Sequence, residues 1–283
     1  MNVADAMTPR GELVTVRLPG GRADALRHLQ EQGFSSVPVE TDDEEPVYRG
    51  LVSRRELIHN PDEDQLALLL REVESVSPDT SLRAAVARMR DGERRLPVVA
   101  DGRLEGIVTV TDAIRAVARG DVPTDAACEA VATDRVTTVF TETPLVVADR
   151  QLGLARESYA VCLDRDSEMA GMLTETDIVS VARIVEGEDQ IGDSMADQDE
   201  EYKWESVKGV GGRYLPTRNV EIPSEPVAEF MTRDVERVIG GRSVQEAARA
   251  MLRADVEQLP LMDGGELVGI VRDTDLLEAI TDG

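Results

Sequence analysis

A short pattern that occurs four times along the chain restricts the possible folds more than any other feature of the sequence. Each copy begins with a glycine and two apolar residues, continues with three or four mostly polar positions and ends in a carboxylate that opens a helix-like stretch. The copies start at Gly50, Gly106, Gly171 and Gly269. Self-similarity of this kind indicates a supersecondary unit used several times, and the longer last interval indicates an insertion.

A second shared element, a short apolar strand, is predicted upstream of each copy. It contains a proline at residues 37–39, 96–99 and 259–262, whereas the third copy at residues 160–163 has none. The helix expected before this third strand, at residues 144–154, is short and poorly patterned. The third repeat is therefore interpreted as the degenerate one.

A helix is predicted before each of these strands, most clearly in the second and fourth repeats. Leu82, Val86 and Met89 have the spacing of one helix face. Ser243 and Glu246 form a capping-box pattern, in which each side chain bonds a free backbone N–H group at the helix start. Each repeat is thus predicted to run strand, helix, strand, strand, helix.

These motifs resemble those of CBS-domain proteins, a family known for a β-α-β-β-α unit with L-P-V-V and G-h-h-T-x-x-D signatures, where h is apolar. The resemblance implies an α/β (α+β) fold of four CBS repeats that pair sheet against sheet into two two-repeat modules, repeats one with two and three with four. The predicted domains are residues 1–60, 66–120, 121–184 and 224–283 for the four repeats, and residues 185–223 for an acidic linker plus a hairpin-like insertion.

The pattern of the second repeat, with Thr109, Thr111 and Asp112, shows what chemistry such a junction can carry. The start of a helix offers free backbone N–H groups and partial positive charge, which favour a phosphate. A carboxylate can accept both hydroxyl protons of a ribose, and threonine hydroxyls can donate to phosphate oxygens. In CBS proteins the matching threonine and aspartate have these roles, so the resemblance implies adenosine-containing ligands in the clefts between repeats, such as AMP, ADP, ATP or S-adenosylmethionine. The candidate ligand-binding residues are Thr109, Thr111, Asp112, Thr174, Thr176, Asp177, Asp275, Arg272 and Ser53.

A purely structural interpretation of the same pattern stays open. T-x-x-D at a strand-to-helix junction is also a helix-capping pattern, which folding alone can repeat. The first repeat departs from the signature, with Ser53 and then Glu56 in place of the aspartate. Arg54 and Arg55 beside it are either phosphate donors or exposed arginines. The fourth repeat has Arg272 at the hydroxyl position, either to pair with phosphate or to neutralise the neighbouring carboxylates. One or two functional sites are therefore expected rather than four.

The charge balance excludes some classes of partner. Asp and Glu total 56 against 31 Lys and Arg, a formal net charge of −25, and only Lys203 and Lys208 are lysines. So negative a protein repels nucleic acids and anionic membranes. Scarce lysine and 3% aromatic content resemble halophilic archaeal proteins. No apolar run approaches the length of a membrane span and no signal peptide is recognisable, so a cytoplasmic location is expected.

The stretch between the third and fourth repeats differs from the rest in composition. Residues 186–201 are rich in Asp and Glu and are interpreted as a solvated, mobile linker. Residues 202–220 hold the only tryptophan, Trp204, and alternate around a Gly-Gly pair, which predicts a hairpin-like excursion. This segment either contacts an anionic partner or packs its aromatic residues on the second module.

No pattern in the chain indicates catalysis, a cofactor or a metal. His28 and His59 lie in no recognisable triad, and Cys128 and Cys162 lack metal or disulfide spacing. The leading hypothesis is a non-enzymatic regulatory protein that senses an adenosine-containing ligand. The alternatives are an interaction scaffold with vestigial pockets and an accessory of an enzyme or transporter in another chain. A homodimer and an unidentified protein partner are both compatible with the sequence.

Overall fold

The computed structural model describes residues 1–31, 36–53, 56–57, 60, 63–90, 93–181, 183–190 and 214–282. The described chain divides into two compact units, one of residues 1–135 with 236–283 and one of residues 136–235. No helix among the described residues has the length and apolar character that crossing a bilayer requires.

Nine helices of the described residues are used below. They are α1 Val3–Ala6, α2 Arg22–Glu31, α3 Leu82–Arg90, α4 Val110–Arg119, α5 Cys128–Val131, α6 Leu145–Ala155, α7 Glu175–Val181, α8 Val244–Ala254 and α9 Asp273–Asp282. Three short 3-10 turns, Arg10–Glu12, Leu66–Leu68 and Val227–Glu229, lie in the connections.

Fourteen strands accompany them in the described ranges. They are β1 Thr8–Pro9, β2 Val16–Leu18, β3 Ser36–Thr41, β4 Tyr48–Ser53, β5 Arg95–Ala100, β6 Arg103–Thr109, β7 Thr138–Phe140, β8 Tyr159–Leu163, β9 Met169–Thr174, β10 Arg183–Gln190, β11 Tyr214–Glu221, β12 Val238–Ile239, β13 Gln258–Asp263 and β14 Glu266–Arg272.

The same small sheet occurs in each predicted repeat. A parallel pair and an antiparallel pair share a central strand in the sheets β2-β3-β4, β7-β8-β9 and β12-β13-β14. In the second repeat β5 pairs antiparallel with β6, and Val76 forms the parallel bridge to Val98. The sequence prediction of strand, helix, strand, strand in each repeat is confirmed, as is the capping box of Ser243 and Glu246.

The glycine that opens each repeated motif is where a segment from elsewhere in the chain joins the sheet. The residue after the glycine pairs with the N-terminal segment of a different repeat: Ile107 with Thr8, Leu51 with Arg71, Met172 with Thr232, and Ile270 with Thr133. A Cβ added at the glycine would lie 2.5 Å from the Thr8 carbonyl oxygen at Gly106, and similarly close to a carbonyl oxygen at the other three. Close backbone approach therefore explains why the motif starts with glycine.

Gly106→Ala is accordingly expected to lower the free energy of unfolding by about 1–3 kcal/mol, because the added methyl forces the sheet and the entering segment apart. Gly153→Ala is the matched control: it lies inside α6 with no atom within 4 Å of the added Cβ. There the alanine is expected to stabilise by about 0.5–1 kcal/mol through helix propensity. Thermal melts of both variants test the opposite signs, and equal shifts would contradict the close-approach explanation.

The larger unit contains two apolar clusters. One is confined to the first repeat and the connection that follows it, with Val37, Val52 and Leu66 among its members. The other is shared by the second and fourth repeats, because α4 packs against α8 and α9, and α9 against α3. α4 buries seven of its ten residues, which matches a helix enclosed on several sides rather than a surface helix with one apolar stripe.

The smaller unit has its own core, built by α6, the sheet β7-β8-β9 and α7. Leu145, Ala148 and Leu152 of α6 are buried. With eleven residues, α6 is as long as α8, so the prediction that the first helix of the third repeat is short was wrong. Exposed Val146, Val147 and Leu154 on the same helix obscured the helical pattern in the sequence.

The acidic insertion departs from the prediction at its start. Residues 186–190 do not belong to a linker but to β10, which pairs antiparallel with β11 from Arg183 opposite Glu221 to Gln190 opposite Tyr214. A hairpin is present, but its second strand covers Tyr214–Glu221 and its first strand precedes the predicted segment. Trp204, the Gly-Gly pair and the rest of residues 191–213 lie outside the described residues.

Candidate functional site

In the second and third repeats, the first and last residues of the T-x-x-D motif hydrogen-bond each other as a capping box. Asp112 Oδ2 accepts hydrogen bonds from the Thr109 backbone N–H at 2.9 Å and from Thr109 Oγ1 at 2.8 Å, and the Asp112 N–H donates to Thr109 Oγ1 at 3.3 Å. Asp177 and Thr174 make the same three bonds at 2.8, 2.8 and 3.3 Å. The motif thus satisfies free N–H groups at the start of a helix in both repeats.

The divergent first and fourth repeats keep this capping function with different side chains. Glu56 Oε2 accepts from the Ser53 N–H at 3.1 Å, so the longer glutamate still reaches the cap. Asp275 Oδ2 accepts from the Arg272 N–H at 2.8 Å. Helix capping therefore accounts for a carboxylate in all four copies, and any ligand site must be identified from the groups around it.

The second carboxylate oxygen distinguishes the second and third repeats. Asp112 is 5% exposed, and its Oδ1 accepts from Arg115 NH1 at 2.6 Å. Asp177 is half-buried, and no hydrogen bond from another described residue reaches its Oδ1. A ribose hydroxyl at Asp112 must share the carboxylate with Arg115, whereas Asp177 has an oxygen available.

The strand register places one residue of each repeat directly across from the first residue of the cap. The residue opposite Thr109 is Arg95, and the residues at the corresponding positions are Ser36, Tyr159 and Gln258. Arg95 NH1 donates to Ser36 Oγ at 3.1 Å, which joins the corresponding positions of the first and second repeats. Arg95, Thr109 and Asp112 therefore lie together where these two repeats meet.

Arg95 is a cation that no carboxylate neutralises directly. Its side chain is half-buried, and no Asp or Glu of the described residues lies within ion-pair distance. Burial lowers the pKa of its guanidinium, and the neighbouring Arg94 lowers it further, while Glu93 opposes both. Burying a cation without a directly paired carboxylate costs free energy, and an anion bound at Arg95 would lower that cost.

Arg94, the preceding residue, shows the contrasting arrangement. Its NH2 lies 2.5 Å from Asp273 Oδ2 and 3.0 Å from Glu257 Oε1, both in the fourth repeat. Burial lowers the pKa of Arg94 as well, but these two carboxylates outweigh it and the pKa is raised. Adjacent arginines thus face different neighbours, one in the first repeat and one in the fourth.

Sequence reasoning missed Arg95 and Ser36. The signal was present as the arginine immediately before Leu96-Pro97, one residue ahead of the proline strand. This arginine can be recognised as part of the site only once the strand register is known, because the residue opposite Thr109 lies beside the cap.

The remaining predicted residues are dispersed. Thr111 is exposed and lines a cavity of about 170 Å³ together with Met251 and Asp273 of the fourth repeat. Thr176 is exposed in the first turn of α7. The Ser53 N–H donates to Glu56 Oε2, and Glu56 Oε1 lies 3.7 Å from Arg71 Nε. Arg54, Arg55 and His59 lie outside the described residues.

Arg272 folds over Asp275 instead of pointing away from it. Its Nε and NH2 lie 3.2 and 2.7 Å from Asp275 Oδ1, and Asp275 is 4% exposed. Both residues stay predicted ligand contacts, but this fork already occupies the carboxylate that a ribose needs.

Asp275→Ala is therefore expected to lower the free energy of unfolding by about 1–3 kcal/mol, since it removes the cap and the partner of Arg272, without weakening nucleotide binding. Asp134→Ala, an exposed aspartate in the same unit, controls for the change in net charge. Parallel melts and titrations of the two variants test this, and loss of ligand with unchanged stability would show that the fourth repeat is a site after all.

The cysteines and histidines do not form a reactive or metal-binding cluster among the described residues. Cys128 and Cys162 are buried, and burial raises the pKa of their thiols to about 11 and about 12. Thiols of such high pKa are poor nucleophiles at neutral pH. No group of three or more metal-ligating side chains occurs in the described part of the chain, and His28 lies half-buried in α2.

Comparison with known families gives one clear match. The model of the CBS domain matches residues 3–63, 67–119 and 227–282, more than half of the chain. An uncharacterized protein of Methanocaldococcus jannaschii is 26% identical over 276 residues, which cover 96% of this chain and 60% of that protein. The chain thus spans less than two thirds of this relative. A second uncharacterized protein of the same organism is 25% identical over 217 residues, 74% of this chain and 69% of that protein.

Solved structures agree with this assignment of the fold. A conserved uncharacterized protein from Pyrococcus horikoshii is similar with a TM-score of 0.68 and 27% identity, over 99% of this chain and 100% of that one. The crystal structure of the second M. jannaschii protein, described as a candidate archaeal homologue of γ-AMPK, has a TM-score of 0.63 at 16% identity over 98% of this chain and 99% of that one. At that identity the likeness concerns the fold alone.

Proposed function

The chain belongs to the CBS domain family, and on that premise we propose that it is a non-catalytic regulatory sensor that binds an adenosine nucleotide between its first and second repeats. The observation that carries the proposal is Arg95, a half-buried cation without a carboxylate partner that reaches Ser36 of the first repeat. A phosphate group supplies the missing negative charge, and a guanidinium binds it through two parallel hydrogen bonds.

The remainder of the site suits a ribose next to that phosphate. Asp112 and Thr109 lie across the strand pair from Arg95, and in the CBS family the matching residues bind ribose and phosphate. Ribose binding at Asp112 competes with Arg115, which is 44% exposed and free to swing into solvent. If a ribose cannot displace Arg115 from Asp112, the pocket is vestigial, as in the alternative hypothesis.

Arg95 favours AMP, ADP or ATP over S-adenosylmethionine. The nucleotides bring one to three phosphate groups, whereas S-adenosylmethionine carries a sulfonium cation, an ammonium group and a single carboxylate. A further positive charge beside Arg94 and Arg95 is unfavourable, whereas phosphate oxygens are bound by both charge and geometry. AMP, ADP and ATP are therefore expected to bind more tightly than S-adenosylmethionine, and also more tightly than adenosine.

A route by which binding reaches the rest of the protein starts from Arg94. This residue follows Glu93 and precedes Arg95, and it holds Asp273 at the first position of α9 in the fourth repeat. A phosphate bound to Arg95 reduces the local excess of positive charge. Because Arg94 is the preceding residue, a shift of the Arg95 backbone also moves Arg94. A ligand shifts the packing of repeats only as far as it binds one arrangement more tightly than the other.

The organisation of the second half is part of the same proposal. Residues 136–181 lie outside the family matches, and we propose that they form a fourth, divergent CBS repeat because their sheet has the same pairing as β12-β13-β14. Asp177, whose Oδ1 accepts no hydrogen bond from another described residue, is the candidate for a second site in this repeat.

The setting of the protein is proposed from its composition. The net charge of −25 and the two lysines favour a cytoplasm of high salt, where screening removes most self-repulsion. Nucleic acids and membranes are not expected as partners. The similarity to a protein described as a candidate γ-AMPK homologue supports a regulatory role, exerted on an unidentified protein partner or through a homodimer.

Thermal unfolding in molar KCl tests the function. AMP, ADP or ATP at about 100 times its Kd is expected to stabilise the binding unit by about 2.7 kcal/mol, a rise in melting temperature of several degrees. S-adenosylmethionine and adenosine at the same concentration serve as matched arms without phosphate. A melt that no phosphate-bearing compound shifts would favour the scaffold hypothesis, with partners then sought for the Trp204 segment.

A further inference from the structure

The fourth repeat carries a concave surface whose charge is opposite to that of the chain. A groove with a volume of about 380 Å³ lies between the outer face of α8 and the strand residues around β12. Arg237, Arg242, Arg249 and Arg253 line it together with only two acids, Glu236 and Glu246. We call it the α8 groove. Its local charge is positive by two, on a protein whose formal net charge is −25.

The groove arginines are not part of the apolar face with which α8 packs. α8 buries Val244, Ala247, Ala248 and Met251, while Arg242, Glu246, Arg249 and Arg253 follow one another at intervals of four, three and four on a different face. α3 buries the corresponding Leu82, Ala85, Val86 and Met89. The positions of α3 that match Glu246 and Arg249 hold Ala84 and Ala87, both exposed. The corresponding helix of the second repeat therefore does not need a charged side chain at either position.

Two of the four guanidiniums lack a carboxylate partner. Arg242 NH1 lies 2.5 Å from Glu246 Oε1, and Arg253 pairs with Glu236. Arg249 donates through Nε to the Ala118 carbonyl oxygen at 2.8 Å, which leaves its charge uncompensated. Arg237 is exposed, and no ion pair to it occurs in the described part of the chain.

We propose that the α8 groove is a second binding site, for a compact polyanion with two or more phosphate groups. A volume of about 380 Å³ falls in the range of small-molecule pockets. Several guanidiniums that converge on a concave surface match tetrahedral phosphates, each of which accepts paired hydrogen bonds. Inorganic pyrophosphate or polyphosphate and the phosphate tail of a nucleotide share this chemistry. The site is separate from Arg95 and Asp112 and does not depend on the proposed nucleotide site.

Titration calorimetry of the full chain with inorganic pyrophosphate, at fixed KCl concentration, tests the site. Arg237→Gln and Arg249→Gln are each expected to weaken binding about 10-fold or more, as for a lost charge-assisted contact. Glu236→Gln is expected to tighten binding several-fold, because it frees Arg253. Arg150→Gln removes an exposed arginine of α6 instead and is expected to change nothing. Glu236 and Arg237 precede β12 and lie outside α8, so their variants keep the proposal testable if Arg249→Gln destabilises α8.

Competition identifies the source of the phosphates. If ATP displaces pyrophosphate from the wild type and from Arg95→Gln but not from Arg237→Gln, the groove binds the phosphate tail of a nucleotide. If tripolyphosphate displaces pyrophosphate and ATP does not, the groove binds an inorganic ligand. Three outcomes overturn the proposal: pyrophosphate affinity that Arg237→Gln and Arg249→Gln leave unchanged, affinity abolished by Arg95→Gln alone, or groove-dependent binding of a polyglutamate peptide but not of pyrophosphate. The second outcome would leave the proposed nucleotide site standing.

Discussion

Arg95→Gln is expected to weaken AMP binding about 10- to 100-fold while the affinity for adenosine stays the same. The variant removes the half-buried guanidinium that faces Ser36 and Thr109, and with it the charge-assisted bonds to phosphate, worth about 1.5–3 kcal/mol. The free energy of unfolding is expected to hold or rise, because an unpaired cation leaves a site where burial already lowers its pKa. Titrations of both ligands against both proteins measure the effect.

Arg94→Gln is the matched control for this experiment. It removes a neighbouring arginine of the same strand end, but one that pairs with Asp273 and Glu257. The variant is expected to lower the free energy of unfolding by about 1–3 kcal/mol, discounted because Arg94 is itself 43% exposed, with a smaller loss of AMP affinity. Equal losses of AMP affinity in the two variants, or an equal loss for adenosine, would contradict a specific phosphate role for Arg95.

Asp112→Ala is expected to abolish measurable nucleotide binding and to lower the free energy of unfolding by about 1–2 kcal/mol. Both effects follow from the same carboxylate, which caps α4 through the Thr109 N–H and is the candidate acceptor for the ribose hydroxyls. Ser243→Ala, which removes the cap of α8 away from the cleft, is expected to cost similar stability with unchanged affinity. A titration and a melt of each variant separate the two roles.

Asp112→Glu makes the comparison sharper. In the first repeat Glu56 closes the same cap on the Ser53 N–H at 3.1 Å, so the longer side chain is compatible with capping. The variant is therefore expected to retain most of its stability but to bind nucleotide at least about 10-fold more weakly, since the carboxylate moves by one methylene while its hydrogen bonds depend strongly on distance. Wild-type affinity in Asp112→Glu would show that the motif serves capping alone.

The repeated motif allowed much of the fold to be predicted from the sequence. The glycine, the proline strand and the carboxylate each respond to a local constraint, and local constraints are visible in a linear sequence. Gly106 is needed because a carbonyl oxygen would lie 2.5 Å from its Cβ, and Asp112 because the first N–H groups of α4 need an acceptor. The interpretation of T-x-x-D as a cap, kept open beside the ligand interpretation, was confirmed by the hydrogen bonds.

The candidate site was only half predictable, because its second half depends on pairing between distant segments. Arg94 and Arg95 are adjacent and chemically identical, yet Arg94 contacts Asp273, 179 residues away, and Arg95 contacts Ser36, 59 residues away. Nothing local distinguishes them. Arg94 lies just before β5 and Arg95 is its first residue, and the register of β5 with β6 places Arg95 opposite Thr109.

The packing of α4 on the fourth repeat and the strand pairing in the insertion could not be predicted, for different physical reasons. The composition of α4 indicates that the helix is buried on several faces. It does not indicate that helices of the fourth repeat pack against one of them. In β10 the acidic composition predicts exposed side chains, which says nothing about whether the backbone pairs. The acidic residues 186–190 nevertheless pair with β11, from Glu186 opposite Arg218 to Gln190 opposite Tyr214.

A crystal structure of the full chain grown with saturating AMP in molar KCl shows whether the nucleotide binds at Arg95 and Asp112. We expect AMP between the first and second repeats, with its phosphate on the Arg95 guanidinium, its ribose hydroxyls on Asp112 and Arg115 swung away from Oδ1. An empty cleft at saturating AMP, with Arg115 still paired to Asp112 and Arg95 still on Ser36, would contradict this expectation.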